Sequence, residues 1–320
     1  MRQGRSRRVS SAMTRGRSSM WIPRTISRAQ GPGEARRGLR GGSETGSMTL
    51  PALKPEYEAL VAAWTELAER GVVDLRSLTA GDEPLLQAVI EHRGAPLVAI
   101  SAGVHGDEPA GPSALLHLVR EGLPREFAYV MWPCTNPSGY RMGTRRNSEG
   151  RDINRSYGVK TTAESRAVAA SWPNRIPFLA LDLHEDPETT AFYCYERSAA
   201  GRYVAPELVR RLEGSGIPIQ RDLEGVDLGL SSGEATRLGL WQLERGWVRS
   251  LGQDPEAIIG GRPYSVWAAA QGVRRSFTFE SPGLGAWETR LRSLVLAVRA
   301  ALAIVPRDSL PSSSEENVSS

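Results

Sequence analysis

A chain of 320 residues with 40% hydrophobic side chains has material for one large domain or two modest ones, and it contains no uninterrupted apolar run of about 18 residues that would suggest a membrane span. Its formal charge of +4 misleads about the folded body: residues 1–47 hold eleven arginines against Glu34 and Glu44, which leaves the remainder at −5 and gives no reason to expect a nucleic-acid partner. Cys134 and Cys194 lie in apolar runs without framework spacing, so no disulfide is expected.

Residues 1–47 are rich in Arg, Ser and Gly and too poor in apolar residues to offset chain entropy, which predicts a disordered basic tail. No apolar h-region follows the arginines, so a secretory signal is not expected. The composition fits a transit peptide, but a translated extension ahead of a start at Met48 is favoured. From Pro55, apolar residues recur at helical spacing (Tyr57, Leu60, Val61, Trp64, Leu67, Ala68) until Gly71. Residues 85–90 and 96–104 read as strands on either side of a charged turn, and Pro109 opens an apolar-periodic helix. Residues 127–134 form a third strand that enters a turn by composition at 135–140.

A polar, arginine-rich segment follows. Then come a helix over 164–172, a buried strand over 178–185, a strand over 189–195 and a helix over 206–212. Between 213 and 267 the chain is Gly-rich with scattered tryptophans, and a loop-rich insertion over helical pieces is expected. Residues 275–281 are a last strand, and 287 to about 304 a helix with one apolar face, ahead of a Ser-rich disordered tail over 307–320. Strands alternating with helices predict an α/β fold. The expected form is a single domain over 48–306, with three layers, α/β/α, around a mixed, largely parallel central sheet.

Three buried-looking strands end in groups that carry chemistry, as the strands of an α/β active site do. His105 and Glu108, three residues apart where a Gly-rich turn enters a helix, can project to the same side. An imidazole and a carboxylate are half of a catalytic zinc site; polar surface residues beside a turn are the plainer alternative. His184 directly follows an apolar strand, where a third ligand would be delivered; a local bond to Asp182 or Glu185 is its alternative. Glu280, flanked by Phe279 on a core strand, is costly to bury unless paired or functional. It suits a general base, with an ion pair to Arg274 or Arg275 as the other option. Arg145, Asn154 and Arg155 lie in the polar segment between two such strands, and arginine forks bind carboxylates bidentately. No P-loop, dinucleotide fingerprint or Gly-x-Ser-x-Gly elbow is present.

In this order the motifs resemble the zinc carboxypeptidases. Gly103-Val104-His105-Gly106-Asp107-Glu108-Pro109 looks like their His-x-x-Glu motif, and Asn136-Pro137-Ser138-Gly139-Tyr140 like their Asn-Pro-Asp-Gly turn, with Ser138 in place of Asp. Thr144-Arg145 through Asp152-Ile153-Asn154-Arg155, Asp182-Leu183-His184 and Thr278-Phe279-Glu280-Ser281-Pro282 complete the series. The resemblance implies one zinc ion per chain held by His105, Glu108 and His184, with Glu280 as the base for a metal-activated water. Arg145 would polarise the scissile carbonyl, Asn154 and Arg155 would hold a free substrate carboxylate, and Tyr264 or Tyr193 would close over the substrate. Asp182 would orient His184. The implied activity is hydrolysis of a peptide or isopeptide bond beside a free carboxylate. Removal of the acyl group from an N-acyl amino acid, as in the succinylglutamate desuccinylase and aspartoacylase relatives, is the alternative; a non-catalytic binding protein on the same fold is the second. The resemblance also implies a cytoplasmic protein with no membrane or nucleic-acid partner, and leaves its oligomeric state open.

Overall fold

The structure, a computed structural model, describes residues 50, 54–81, 83–222, 241–250 and 261–308, all in a unit spanning Met48–Ser320. The expected tail at 1–47, most of that at 307–320, and residues 223–240 and 251–260 of the expected insertion lie outside the described residues. Helix α1 (Tyr57–Glu69) buries Tyr57, Leu60, Trp64 and Leu67, the stripe its spacing predicts. Strands β1 (Asp74–Ala80) and β2 (Glu83–Ile90) form an antiparallel hairpin. Then come β3 (Leu97–Ala102), α2 (Ala110–Glu121), β4 (Ala128–Trp132) and α3 (Pro137–Met142). A 3-10 turn at Ile153–Arg155 leads to α4 (Ala163–Ala170), β5 (Leu179–Asp186), β6 (Tyr193–Ser198) and α5 (Ala205–Gly214). The chain closes with β7 (Trp241–Glu244), β8 (Trp247–Ser250), α6 (Tyr264–Ala270), β9 (Arg275–Pro282) and α7 (Trp287–Asp308). No helix among the described residues is long and apolar enough to cross a membrane.

The strands form one sheet in the order β1-β2-β4-β3-β5-β9-β6-β8-β7. The central neighbours β4, β3, β5 and β9 run parallel, while β2 and β6 join them antiparallel from either side. Alternate side chains of the central strands feed two cores. Val98, Ile100, Leu181, Leu183, Phe277 and Phe279 pack with residues of α1, α2, α5 and α7, whereas Ala99, Val130, Trp132 and Ala180 pack with those of α4 and α6. This is the expected three-layer α/β/α arrangement around a mixed sheet, with parallel pairing confined to its centre and to β6–β8.

Four expectations are corrected. Residues 74–80 form a strand that the sequence pattern hides, because an edge strand pairs on one side only and β1 is mostly exposed. The turn at 135–140 is largely helix α3, capped by the Asn136 side chain on Gly139 N at 2.9 Å, with Pro137 in the first turn and Gly143 left-handed at the end. Within the expected insertion, β7 and β8 form a hairpin whose two turn residues, Arg245 and Gly246, both have positive φ. The strand expected over 189–195 starts only at Tyr193, where pairing with β9 begins.

Two close backbone approaches hold the site's turn in place. A Cβ on Gly106 would lie 1.9 Å from the backbone carbon of Gly139, and one on Gly111 would lie 2.6 Å from the Leu183 carbonyl oxygen. Glu185, buried after His184, accepts from Ala110 N at the start of α2 (2.6 Å) and from Arg290 Nε on α7 (2.5 Å). Gly106→Ala is expected to cost about 3 kcal/mol or more by overpacking, read as a lower urea midpoint at unchanged slope. Arg290→Ala, which strands the Glu185 carboxylate, should cost about 3 kcal/mol in the same measurement.

Candidate metal centre

After β3 the chain next forms β4 on one flank and then β5 on the other, so the carboxyl ends of β3 and β5 border the point where strand order reverses. Open α/β sheets bind ligands at such a crevice. The turn leaving β3 supplies His105 and Glu108, and β5 supplies His184. In register, His184 lies beside Glu280 of β9, and Glu280 beside Tyr193 of β6. Side chains at paired positions share a sheet face, so these three form a row.

His105, Glu108 and His184 are each at most 3% exposed, and one ligand atom from each lies within 4.8 Å of the others. Glu108 stands between the imidazoles: Oε1 contacts His105 Nδ1, and Oε2 lies 2.8 Å from His184 Nδ1. The Glu185 backbone N–H also donates to Oε2, at 3.1 Å. Each imidazole has its other nitrogen on a second carboxylate, His105 Nε2 on Asp152 at 3.3 Å and His184 Nε2 on Asp182 at 2.9 Å. Metal-ligating histidines have their other nitrogen held in this way, so with an ion bound Nε2 would carry the proton and Nδ1 would present its lone pair to the metal.

Burial disfavours charge on both imidazoles, yet Glu108 and Asp152 beside His105 outweigh it and raise its pKa. Around His184, Asp182, Glu108 and Glu280 raise it further. Burial likewise opposes ionisation of Glu108, but the two imidazoles hold its carboxyl well below the usual range. Asp152, also opposed by burial, is held down by His105, Arg145 and Arg155. The pocket therefore favours positive charge at its centre. Two nitrogens and a carboxylate oxygen are donors that suit zinc, and each histidine already has an orienting partner, so the residues fit such an ion.

The polar segment folds over this centre through its own side chains. Asn147 accepts from the backbone N–H groups of Glu149 and Arg151 and donates to Glu164. Asp152 caps the 3-10 turn on Asn154 N at 2.9 Å, holds His105 and accepts from Arg145 Nε at 3.3 Å. Arg145 Nη1 reaches to 3.6 Å from Glu108 and 3.3 Å from His105 Nδ1, with its side chain one-third exposed. Among the expected substrate-binding residues, Asn154 is buried, with Oδ1 accepting from Tyr264 N at 3.0 Å, and Arg155 is half-buried beside it. Tyr264 itself is fully buried among Trp132, Tyr157, Trp172 and Trp267, and is not at the mouth of the site. Tyr193 is also fully buried, its hydroxyl donating to Asp186 at 2.6 Å. Sequence reasoning had given Asp152 no role of its own. The available signal was a lone aspartate in an arginine-rich run, directly before Asn154 and Arg155.

The succinylglutamate desuccinylase/aspartoacylase catalytic domain is the family whose model matches, over residues 95–220. No curated protein sequence matches the chain. Among solved structures, a candidate metallopeptidase from Shewanella amazonensis aligns with a TM-score of 0.62 at 22% identity, covering 78% of this chain and 92% of that one. Bovine thrombin-activatable fibrinolysis inhibitor aligns at 0.54 and 14% identity, over 80% of this chain and 99% of its own. A metallo-carboxypeptidase from Burkholderia cenocepacia gives 0.52 at 16% identity, over 78% and 69%. At these identities the likeness is one of fold. The family match over 95–220 thus lies within a carboxypeptidase-like fold.

Proposed function

We propose that this protein is a zinc-dependent hydrolase that cleaves an amide bond next to a free carboxylate, in the manner of a metallocarboxypeptidase acting on a peptide or isopeptide. The observation that carries this reading is the convergence of His105, Glu108 and His184 from two strand ends, with Glu280 beside His184 in register. A zinc ion held by these three residues would supply Lewis acidity and make a water molecule acidic enough to attack near neutral pH. Glu280 takes the proton from the attacking water and passes it to the leaving nitrogen. Arg145, fixed by Asp152 and still partly exposed, donates to the carbonyl oxygen as negative charge develops there. Arg155 and the amide of Asn154 bind the substrate carboxylate, which sets the register of the scissile bond.

Removal of an acyl group from an N-acyl amino acid is the second reading, favoured by the family match over residues 95–220. Both reactions need the same metal and the same base and release an amino acid as the leaving amine; they differ in the acyl group cut from it, a peptide chain in one and a small acyl group in the other.

The full chain should contain about one zinc per polypeptide by elemental analysis, and His184→Ala should lose most of it. Glu280→Gln should keep the metal and lose about 100-fold or more in kcat, because it removes only the base. A Glu280→Gln enzyme turning over at the unsubstituted rate would refute the assigned mechanism. A paired assay of C-terminal residue release from peptides, cell-wall peptides included, against deacylation of N-acyl amino acids should show faster turnover of the peptides. Preference for the acyl substrates would select the second reading and leave the metal chemistry standing.

A further inference from the structure

Behind the ligands, on the same face of the sheet, four buried side-chain oxygens make no hydrogen bond within the protein: Ser101 Oγ, Asp182 Oδ1, Tyr157 OH and Tyr264 OH. Their residues are each at most 1% exposed. Trp132, Ser101, Asp182 and Thr278 form a row across β4, β3, β5 and β9, which sets Ser101 directly beside Asp182. Tyr264 stands edge-on to Trp132 at 6.4 Å and to Tyr157 at 5.6 Å between ring centres, so both phenols lie over this row. After burial, the charge that most raises each phenol's pKa is that of Asp182; Tyr157 also faces the hydroxyls of Thr135 and Ser101, which lower it without reversing the shift. Both phenols therefore stay protonated and available as donors.

Buried polar groups are nearly always satisfied, so four unsatisfied oxygens on and over one row of strand residues call for a partner. A buried water takes two to four hydrogen bonds from such groups. A water can accept from the two phenols and donate to Asp182 Oδ1 and Ser101 Oγ, so each of the four oxygens gains one hydrogen bond.

We propose that Ser101, Tyr157, Asp182 and Tyr264 enclose an ordered water, and that this water with the two phenols positions His184 by holding Asp182. This rests on the metal-centre reading above. Asp182 Oδ2 takes the Nε2–H of His184, so fixing the carboxylate fixes both the tautomer and the tilt of that imidazole. Tyr157 and Tyr264 are positioning residues, acting through a water, a carboxylate and a ring.

Tyr157→Phe and Tyr264→Phe in the full chain test this, because each removes one oxygen and keeps the ring. Around a bound water, each variant should lower Tm, since it strands the remaining partners. Zinc affinity, measured by competition with a chromogenic chelator, should fall about 10-fold. The visible spectrum of the cobalt-substituted protein should shift as well. A phenol lying unsatisfied in a dry core predicts the opposite, because its removal relieves a desolvation cost. Phe variants with Tm equal to or above the parent overturn the water. Unchanged zinc affinity and an unchanged cobalt spectrum overturn the positioning role. If the parent chain and His184→Ala take up zinc equally poorly, the metal-centre reading fails instead, and the Tm comparison still decides the water.

Discussion

The site depends on the burial of one carboxylate, that of Glu108, between groups that arrive from two neighbouring parallel strands. Its oxygens meet the Nδ1 atoms of His105 and His184 and the backbone N–H of Glu185. An ionised carboxylate this deep costs several kcal/mol unless it is paired, so the turn after β3 and the end of β5 must meet for either to be tolerable. The same pairing puts Glu280 beside His184, because β9 is the next parallel neighbour. Shifting any one of these strands by a residue would turn its functional side chain into the opposite core.

The surrounding scaffold converts a loop-rich region into a rigid one. Gly106 lies against Gly139 and Gly111 against the Leu183 carbonyl, so the turn, α3, α2 and β5 interlock at backbone contact. Side-chain-to-backbone bonds from Asn136, Asn147 and Asp152 give the arginine-rich segment an internal skeleton that its sparse apolar content cannot supply. Asp152 serves three masters at once: the 3-10 turn, His105 and Arg145. Local folding of that segment and the orientation of a metal-ligand candidate are thus one event.

Electrostatically the site is layered. Glu108, Asp152, Asp182 and Glu280 surround the two imidazoles, while Arg145 and Arg155 lie at more accessible positions above them. Such a gradient favours positive charge at the floor and negative charge at the rim. The net charge of the whole chain shows none of this, because the basic excess of residues 1–47 masks an acidic body.

Much of this was legible in the residues. The stripe of Tyr57, Leu60, Trp64 and Leu67, the largely apolar strands that became β3 and β4, and the order of His105, Glu108, His184 and Glu280 along the chain all carry local signals of period or motif. Edge strand β1 and the β7–β8 hairpin did not, since an exposed strand needs no apolar face and Arg245 is an unusual residue for a left-handed turn position. By itself, then, the sequence determined most of the helices and central strands, though not α3 or β8, and which polar residues stand at their ends, because both are written within a few residues. Only the tertiary structure decided that residues 105, 108 and 184 come together with Glu280 beside His184 in register, that Asp152 and Asp182 each hold a histidine, and that Tyr264 lies in the core. Those outcomes depend on strand order and register, which arise from packing between segments about 80 to 170 residues apart and leave no imprint on any one of them.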